Sequence, residues 1–255
     1  MSVWAISMMR DEADVAFDVV THLFTEGVDG VLVANNRSID NTASELRRAG
    51  AEVVDDPEPG YYQAQKMTQL ATMAARDWGA EWIVPFDADE IWYRGTNERL
   101  ADYLNATDVD LVFADMLCHY ETDDDALDET SPFRRMTWRT KNLNDASIPK
   151  VCFRWREGAE MEMGNHGVKL PGNVSSERGL TIRHFQYRGF EHFQRKVTNG
   201  KEAYDASTLP EGYGAHWREL GAMDGRTLAR VYRRKFMRNT AEMIFDPAPF
   251  RHHER

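Results

Sequence analysis

The stretch Trp82-Ile83-Val84-Pro85-Phe86-Asp87-Ala88-Asp89-Glu90 is an apolar run that ends abruptly in three carboxylates. Its length and composition predict a buried strand whose last residues emerge at an edge of a sheet. In open α/β sheets ligands bind at the carboxyl edge. Carboxylates one residue apart at such an edge can converge on a divalent cation that also contacts a phosphate. The stretch alone leaves a second interpretation open, an acidic loop that follows a strand.

Three repeats of strand and helix precede this stretch. Short apolar runs predict the strands, and apolar residues at helical spacing predict the helices, which end near Gly27, Gly50 and Gly79. Four strands separated by three helices with short links are typical of a parallel sheet with right-handed crossovers. The predicted strands are residues 3–7, 30–34, 51–54 and 82–86, and the helix before the last strand covers residues 62–78.

The regular alternation ends after Glu90. Further apolar runs with irregular polar connections predict a mixed extension of the sheet, followed by helices after Tyr187 and over residues 228–243. We therefore predict one continuous α/β domain with a Rossmann-like, mostly parallel sheet, a mixed C-terminal extension and terminal helices. The predicted later strands are residues 109–116, 136–141, 151–156 and 180–187.

Composition excludes several classes of protein. Of the 255 residues, 42% are hydrophobic and 29% are charged, which predicts a folded globular chain. The net charge of -11 argues against a nucleic-acid partner. No apolar stretch approaches ~18 residues and the N-terminus lacks a basic region, so we expect neither a transmembrane segment nor an export signal. Cys118 and Cys152 form neither a disulfide framework nor a zinc motif, which favours a reducing, cytoplasmic setting.

One segment departs from this acidic balance. Six basic residues lie within the last predicted helix or just before it. A solvated helix face and a functional face both fit this pattern, and peripheral contact with a membrane therefore stays open. The six residues are Arg226, Arg230, Arg233, Arg234, Lys235 and Arg238.

Residues 3–90 resemble family 2-like glycosyltransferases of the GT-A fold. In that family the first strand ends in a short polar turn, the second opens into an Asp-Asp-x-Ser-x-Asp-x-Thr-like loop, a helix carries a basic residue, and a later strand ends in Asp-x-Asp. Four segments match in the same order over about a third of the chain, and a weaker similarity covers residues 182–193. The segments are Ser7 to Asp11, Asn35-Asn36-Arg37-Ser38-Ile39-Asp40-Asn41-Thr42, Gln65-Lys66 and Asp87-Ala88-Asp89-Glu90.

The resemblance implies a metal-dependent, hexosyltransferase-type enzyme. It would move a sugar from a nucleotide-sugar, with UDP the expected nucleotide, to a hydroxyl of a glycan or other acceptor, with inversion. Residues 1–106 would then bind the donor, and residues 107–255 would form the acceptor side. The implied ligands of Mn²⁺ or Mg²⁺ are Asp87, Asp89 and His184. The implied nucleotide contacts are Ser7, Arg10, Asn35, Asn36, Lys66, Asp87 and Lys196.

The second-strand loop departs from the family pattern. The family usually has Asp where the base is bound, and this chain has Asn35-Asn36. An amide both donates and accepts hydrogen bonds, whereas an ionised carboxylate only accepts them. The Asn35-Asn36 pair therefore leaves open which nucleobase the loop binds.

An inverting transferase needs a general base within hydrogen-bond reach of the acceptor hydroxyl. His166 lies in Gly164-Asn165-His166-Gly167, where the flanking glycines would let a ligand approach closely. It is the predicted catalytic base, although a metal-site or turn histidine fits the same pattern. The carboxylate alternatives, among which spacing does not decide, are Glu90, Asp115, Glu160 and Glu162.

Three other functions remain as alternatives. Phosphohydrolases with an Asp-x-Asp pair have it after the first strand, whereas here it follows the fourth. A nucleotidyltransferase would have a glycine-rich phosphate loop after the first strand, and Ser7-Met8-Met9-Arg10-Asp11 contains no glycine. A non-catalytic nucleotide-binding protein of the same fold has no use for the mutual repulsion of Asp87 and Asp89.

Overall fold

The computed structural model describes residues 1–95, 98–126, 128–144 and 148–247. Residues 248–255 of the predicted acceptor half therefore lie outside the described residues. The strands are β1 Val3–Met9, β2 Gly30–Asn35, β3 Glu52–Asp55, β4 Trp82–Pro85, β5 Glu90–Tyr93, β6 Leu111–Cys118, β7 Trp138–Arg139, β8 Lys150–Arg154, β9 Glu160–Met161, β10 Val168–Lys169, β11 Ser176–His184 and β12 Ile244–Phe245. The helices are α1 Ala16–Thr25, α2 Thr42–Arg48, α3 Gln63–Trp78, α4 Leu100–Ala106, α5 Pro132–Arg135, α6 Phe190–Asp205, α7 Ala215–Gly221 and α8 Gly225–Lys235.

The main sheet has the strand order β3-β2-β1-β4-β8-β6-β11-β5. Its first four strands are all parallel to one another. Strand β8 is antiparallel to both β4 and β6, β11 is parallel to β6, and β5 is antiparallel to β11. The predicted α/β fold, a parallel sheet with a mixed C-terminal extension, is confirmed.

Helices cover both faces of the parallel half, which is why its strands are apolar without alternation. In β1, Val3 and Ala5 belong to the core that also contains residues of α1. Trp4 and Ile6 belong to the opposite core, with Met67 of α3. Successive side chains of a strand point to opposite faces, so a strand buried on both sides needs apolar residues at every position.

The chain re-enters the sheet immediately after the carboxylates, which the sequence did not indicate. A tight turn follows β4, in which Glu90 N donates to the Asp87 carbonyl at 3.1 Å. Strand β5 then pairs with β11, with Glu90 opposite His184. Three strands, β8, β6 and β11, lie between β4 and β5 in the sheet. The turn between β4 and β5 therefore crosses the ends of these strands, and the acidic residues lie along that edge of the mixed half.

The C-terminal helices pack on one another around a separate apolar cluster. Phe193 and Val197 of α6 meet Leu228 and Tyr232 of α8. The predicted last helix is wrong in its extent, because α8 ends at Lys235 and a 3₁₀ turn and β12 follow. No helix among the described residues is long and apolar enough to cross a lipid bilayer. Cys118 and Cys152 are both buried, and no disulfide links them.

Candidate active site

A cavity of about 560 Å³ opens at the edge of the sheet where the acidic turn lies. This volume falls in the range of small-molecule sites in proteins. Part of its polar lining comes from the β4–β5 turn, the start of β8, the end of β11 and the middle of α6, four segments that are far apart in the sequence. The charged and imidazole side chains that these segments contribute are Asp87, Asp89, Glu90, Lys150, His184 and Lys196.

Asp89, Glu90 and His184 form a group that could hold a metal ion. Each offers one ligand atom, and the three atoms lie within 4.8 Å of one another. The pairing of Glu90 with His184 across β5 and β11 brings two of them together, and the preceding turn adds Asp89. Two carboxylate oxygens and an imidazole nitrogen are suitable ligands for Mn²⁺, and the oxygens also suit Mg²⁺.

Asp87 lies outside this group, contrary to the expectation that it would be a metal ligand. Its carboxylate contacts Lys150 Nζ at 2.6 Å and accepts a hydrogen bond from Asn165 Nδ2 at 3.1 Å. The same ammonium group lies 3.0 Å from Glu90 Oε1. The turn after β4 thus directs Asp87 toward β8, whereas the sheet pairing of the next strand directs Glu90 toward His184.

Lys150 is a site residue that the sequence did not reveal. It is buried at the start of β8 and neutralises two carboxylates at once. The pKa of its ammonium is raised, because Asp87 and Glu90 outweigh the opposing effect of burial. The one signal in the sequence is a lone lysine at the start of an apolar run, which without the fold has no identifiable partner.

Lys196 of α6 forms a hydrogen-bonded ion pair with Asp89 Oδ2 and also donates to the Gln186 carbonyl at 3.3 Å. Burial alone would raise the pKa of Asp89, but Lys196 and His184 outweigh burial and hold that pKa well below its usual value. The pKa of Lys196 is raised in turn, since the attraction of Asp89 exceeds the effect of burial. Asp89 is therefore ionised throughout the physiological pH range.

The pKa values of the other two members of the metal group, Glu90 and His184, are shifted in opposite directions. Burial raises the pKa of Glu90 to about 7, with Lys150 opposing the rise. Burial lowers the pKa of His184 to about 4, and Asp89, whose Oδ2 lies 3.8 Å from His184 Nε2, opposes that change. At neutral pH the imidazole is therefore uncharged and has a lone pair, as a metal ligand must.

The predicted nucleotide contacts divide into two groups. Arg10 and Asn36 line the cavity together with Asp87 and Lys196. Arg10 pairs with a carboxylate of α6 at 2.9 Å, and the Asn36 amide donates to Asp56 Oδ2 at 2.8 Å. The side-chain nitrogen of Asn36 is thus already used within the protein.

The remaining predicted contacts do not line the cavity. Ser7 is fully buried within β1. Lys66 lies against Asp56 at 2.6 Å and donates to a backbone carbonyl at 3.0 Å. Asn35 ends β2, and its backbone carbonyl accepts a hydrogen bond from the N–H of Asp56, in the loop after β3, at 3.1 Å. Lys66 and Asn35 therefore hold the loop that follows β3.

His166 lines the cavity beside Lys150, at the end of a 3₁₀ turn. Its Nδ1 lies 3.1 Å from the carbonyl of Pro149, and because a carbonyl only accepts, Nδ1 carries the proton. Burial and the nearby Lys150 lower the pKa of the ring, so it is neutral at pH 7 with an unprotonated Nε2. The ring lies against Gly164, where a Cβ would be 2.7 Å from Nε2, so this position requires glycine.

The carboxylate alternatives for the base are separated by the fold. Glu90 lines the cavity but is fully buried and tied to Lys150. Asp115, Glu160 and Glu162 do not line the cavity, and Asp115 is paired with Arg178. Among the described candidates, His166 alone lines the cavity without being fully buried or tied into an ion pair.

Aromatic side chains form a further wall of the cavity, which the sequence did not indicate. The ring of Tyr61 contacts that of Tyr204 of α6, with centroids 4.7 Å apart and planes tilted by 40°, and Tyr213 and Trp217 of the α7 region line the same cavity. Flat, largely apolar walls of this kind suit the faces of bases and sugar rings.

No protein-family model and no curated protein matches the sequence. Among solved structures, mannosyl-3-phosphoglycerate synthase from Rubrobacter xylanophilus matches with 20% identity over 46% of this chain and 40% of that chain, at a TM-score of 0.36. Glucosyl-3-phosphoglycerate synthase from Mycobacterium tuberculosis, in complex with Mn²⁺, UDP and phosphoglyceric acid, matches with 19% identity over 45% of this chain and 43% of that chain, at 0.34. A mycobacterial protein matches with 19% identity over 46% and 41%, at 0.35. In each case the match spans less than half of either chain, and at such TM-scores it carries no functional conclusion.

Proposed function

We propose that the protein is a metal-dependent glycosyltransferase that moves a sugar from a nucleotide-sugar to an acceptor hydroxyl, with inversion. The observation that supports this most directly is the convergence of Asp89, Glu90 and His184 in a cavity of about 560 Å³ that also contains Lys196. UDP is the expected donor nucleotide from the resemblance of residues 3–90 to family 2-like enzymes.

The residues of the site suit a divalent cation by donor type, spacing and charge. Three carboxylates and two ammonium groups leave the cluster one negative charge when Glu90 is ionised. A divalent cation would reverse the sign of this charge, and the site would then attract an anionic diphosphate. A Mn²⁺ or Mg²⁺ ion held by Asp89, Glu90 and His184 would supply Lewis acidity toward the diphosphate. Lys196, which pairs with Asp89 of the same group, would donate hydrogen bonds to the leaving diphosphate.

His166 is the proposed catalytic base. Its protonated Nδ1 is fixed by the Pro149 carbonyl, so the unprotonated Nε2 is the atom that would take the proton from the acceptor hydroxyl. The lowered pKa keeps the ring neutral, and therefore able to accept a proton, at pH 7. Arg10 and the aromatic wall, which line the same cavity, are proposed to contact the nucleotide.

The proposal is tested by release of nucleoside diphosphate from a panel of UDP-, GDP-, dTDP- and CDP-sugars, with Mn²⁺ and with EDTA. We expect Mn²⁺-dependent release of UDP that an acceptor accelerates, and loss of both in Asp89→Asn. Asp115→Asn is the matched control, because it removes a carboxylate from the sheet outside the cavity.

Other outcomes would favour other functions. Metal-dependent release of phosphate from nucleotides, without sugar transfer, would favour the phosphohydrolase alternative. Tight nucleotide binding that is insensitive to EDTA, with no turnover of any nucleotide-sugar, would favour a non-catalytic binding protein.

A further inference from the structure

Four arginines of α8 lie along one exposed face. Arg226, Arg230, Arg233 and Arg234 have the spacing i, i+4, i+7 and i+8, which places them on a single stripe of a helix. All four are exposed. We call this stripe the arginine face.

The packing of the opposite side of α8 determines that the arginine face points to solvent. Leu228 and Tyr232 are buried and pack on Phe193 and Val197 of α6. The Asp224 side chain, which accepts hydrogen bonds from two backbone N–H groups of the first turn, holds the start of α8. The arginine face is therefore held outward by the packing of the helix.

Exposed arginines elsewhere in the chain are of two kinds. Arg37, Arg47 and Arg195 also form no ion pair among the described residues, but they lie apart from one another in the sequence. Arg94, Arg99 and Arg134 are at least partly exposed, yet each lies within 3.2 Å of a carboxylate oxygen. Within residues 1–95, 98–126, 128–144 and 148–247, none of the four guanidinium groups of the arginine face has such a partner.

Like charges four residues apart on a helix repel one another and disfavour it. Arg226 and Arg230 form one such pair, and Arg230 and Arg234 form a second. This concentration occurs in a chain with 42 acidic and 31 basic residues. Unneutralised repulsion of this kind is relieved when an external anionic surface approaches.

We propose that the arginine face binds the surface of a membrane that contains anionic phospholipids. The exposed side of a helix offers a convex row of charges, which fits a broad anionic surface, whereas an acidic peptide would need a groove. Strand β12, which follows α8 in the chain, exposes Ile244 and Phe245, the latter to 59%. Apolar side chains can enter the interfacial region of a bilayer, and a nucleic-acid backbone offers them no equivalent environment.

The effect of the face on membrane affinity can be estimated. A basic side chain near an anionic bilayer surface contributes roughly fivefold in affinity, so loss of four predicts weakening on the order of several hundredfold. Added salt should weaken binding of the wild type, because the interaction falls off within a Debye length.

Co-sedimentation with vesicles tests the proposal on the full chain. We expect the wild type to bind vesicles of equimolar phosphatidylglycerol and phosphatidylcholine but not vesicles of phosphatidylcholine alone. The test variant changes all four arginines of the face to Gln and should lose this binding. The control variant removes the same charge from scattered exposed positions and should keep it: Arg47→Gln, Arg76→Gln, Lys141→Gln and Lys169→Gln.

Three results would overturn the proposal. The first is absence of wild-type binding to the anionic vesicles, or equal binding to both kinds. The second is equal loss in the test and control variants, which would show a dependence on net charge and not on this face. The third is tighter binding of the wild type to a single-stranded oligonucleotide, measured by fluorescence anisotropy, which would assign the face to nucleic acid. Circular dichroism of each variant confirms that the fold is retained.

Discussion

Replacement of Lys196 by Met should change the affinities for metal and nucleotide in opposite directions. Lys196 pairs with Asp89 Oδ2, an atom of the carboxylate that belongs to the metal group. A cation that binds there must displace the ammonium group, so Lys196 competes with the metal in the absence of nucleotide. Once the ammonium group is displaced, it is free to donate to a diphosphate.

The magnitudes follow from the burial of the pair. The Asp89 side chain is 4% exposed and that of Lys196 is 22% exposed. Breaking a buried pair by removing one partner destabilises a protein by about 3–5 kcal/mol, and the partial exposure of Lys196 favours the lower end. We therefore expect a loss of about 3 kcal/mol for metal-free Lys196→Met, which corresponds to a fall in Tm of roughly 6–12 °C.

Metal should restore part of this stability. Lys196 also donates to the Gln186 carbonyl at 3.3 Å, so an ammonium group displaced from Asp89 keeps a partner, and metal binding costs only part of the energy of the Lys196–Asp89 pair. The variant has no ammonium group to displace, and we expect Mn²⁺ to bind to it about tenfold more tightly. UDP in the presence of Mn²⁺ should bind about 10- to 100-fold more weakly, because a charge-assisted hydrogen bond to the diphosphate is lost.

Calorimetric titration with Mn²⁺ alone, and then with UDP, measures both changes, and thermal unfolding with and without Mn²⁺ measures the rescue. Lys201→Met is the matched control, since Lys201 lies on the same helix and pairs with the exposed Asp205. Its metal and nucleotide affinities should equal those of the wild type. If Lys196→Met binds Mn²⁺ no more tightly than the wild type, while the wild type binds both ligands, the competition is refuted and the proposed enzyme is not. If the wild type binds neither, the proposed function fails.

Three further predictions test other parts of the molecule. His184→Asn should leave the metal-free fold nearly intact and weaken Mn²⁺ by about tenfold or more in a direct titration; an unchanged affinity would remove His184 from the site. His166→Asn should lower kcat by about 10²- to 10⁴-fold with unchanged UDP affinity, and a variant that weakens UDP instead would identify a nucleotide contact. His119 is buried and stacked on Phe185, and burial lowers its pKa to about 3, so the folded protein excludes a proton that the unfolded chain binds below pH 6.5. The stability that this histidine contributes is therefore present above pH 6.5 and is lost as the pH falls, by about 2 kcal/mol at pH 5. Between pH 7 and 5 the free energy of unfolding, measured with urea, should fall by about 2 kcal/mol less in His119→Phe than in the wild type. Equal losses in the two proteins would contradict the assignment.

The sequence by itself determined the parallel half of the fold. The signals there are local: apolar runs too short for helices, helical spacing between them, and glycines after the helices. Each strand of that half pairs with one whose position follows from the βαβ rule, and the turn that ends β4 follows directly from the apolar run. Position at a carboxyl edge was therefore predictable for Asp87 and Asp89.

The tertiary structure alone decided the mixed half. Strand β5 begins at Glu90, inside the acidic motif, and pairs with β11 about ninety positions later in the chain. Strand β8 is inserted antiparallel between β4 and β6. Pairings between strands so distant in sequence depend on the packing of the whole sheet, and no local pattern encodes them.

The same reason separates the predicted and unpredicted residues of the site. The sequence placed Asp89 and His184 among the candidate ligands, but only the fold moved Asp87 to Lys150 and brought Glu90 into the metal group. The sequence also shows that arginines cluster in its last predicted helix. Only the packing of α8 on α6 determines that four of them lie on one exposed face. A sequence specifies which chemical groups exist, and the long-range contacts of the folded chain determine which of them meet.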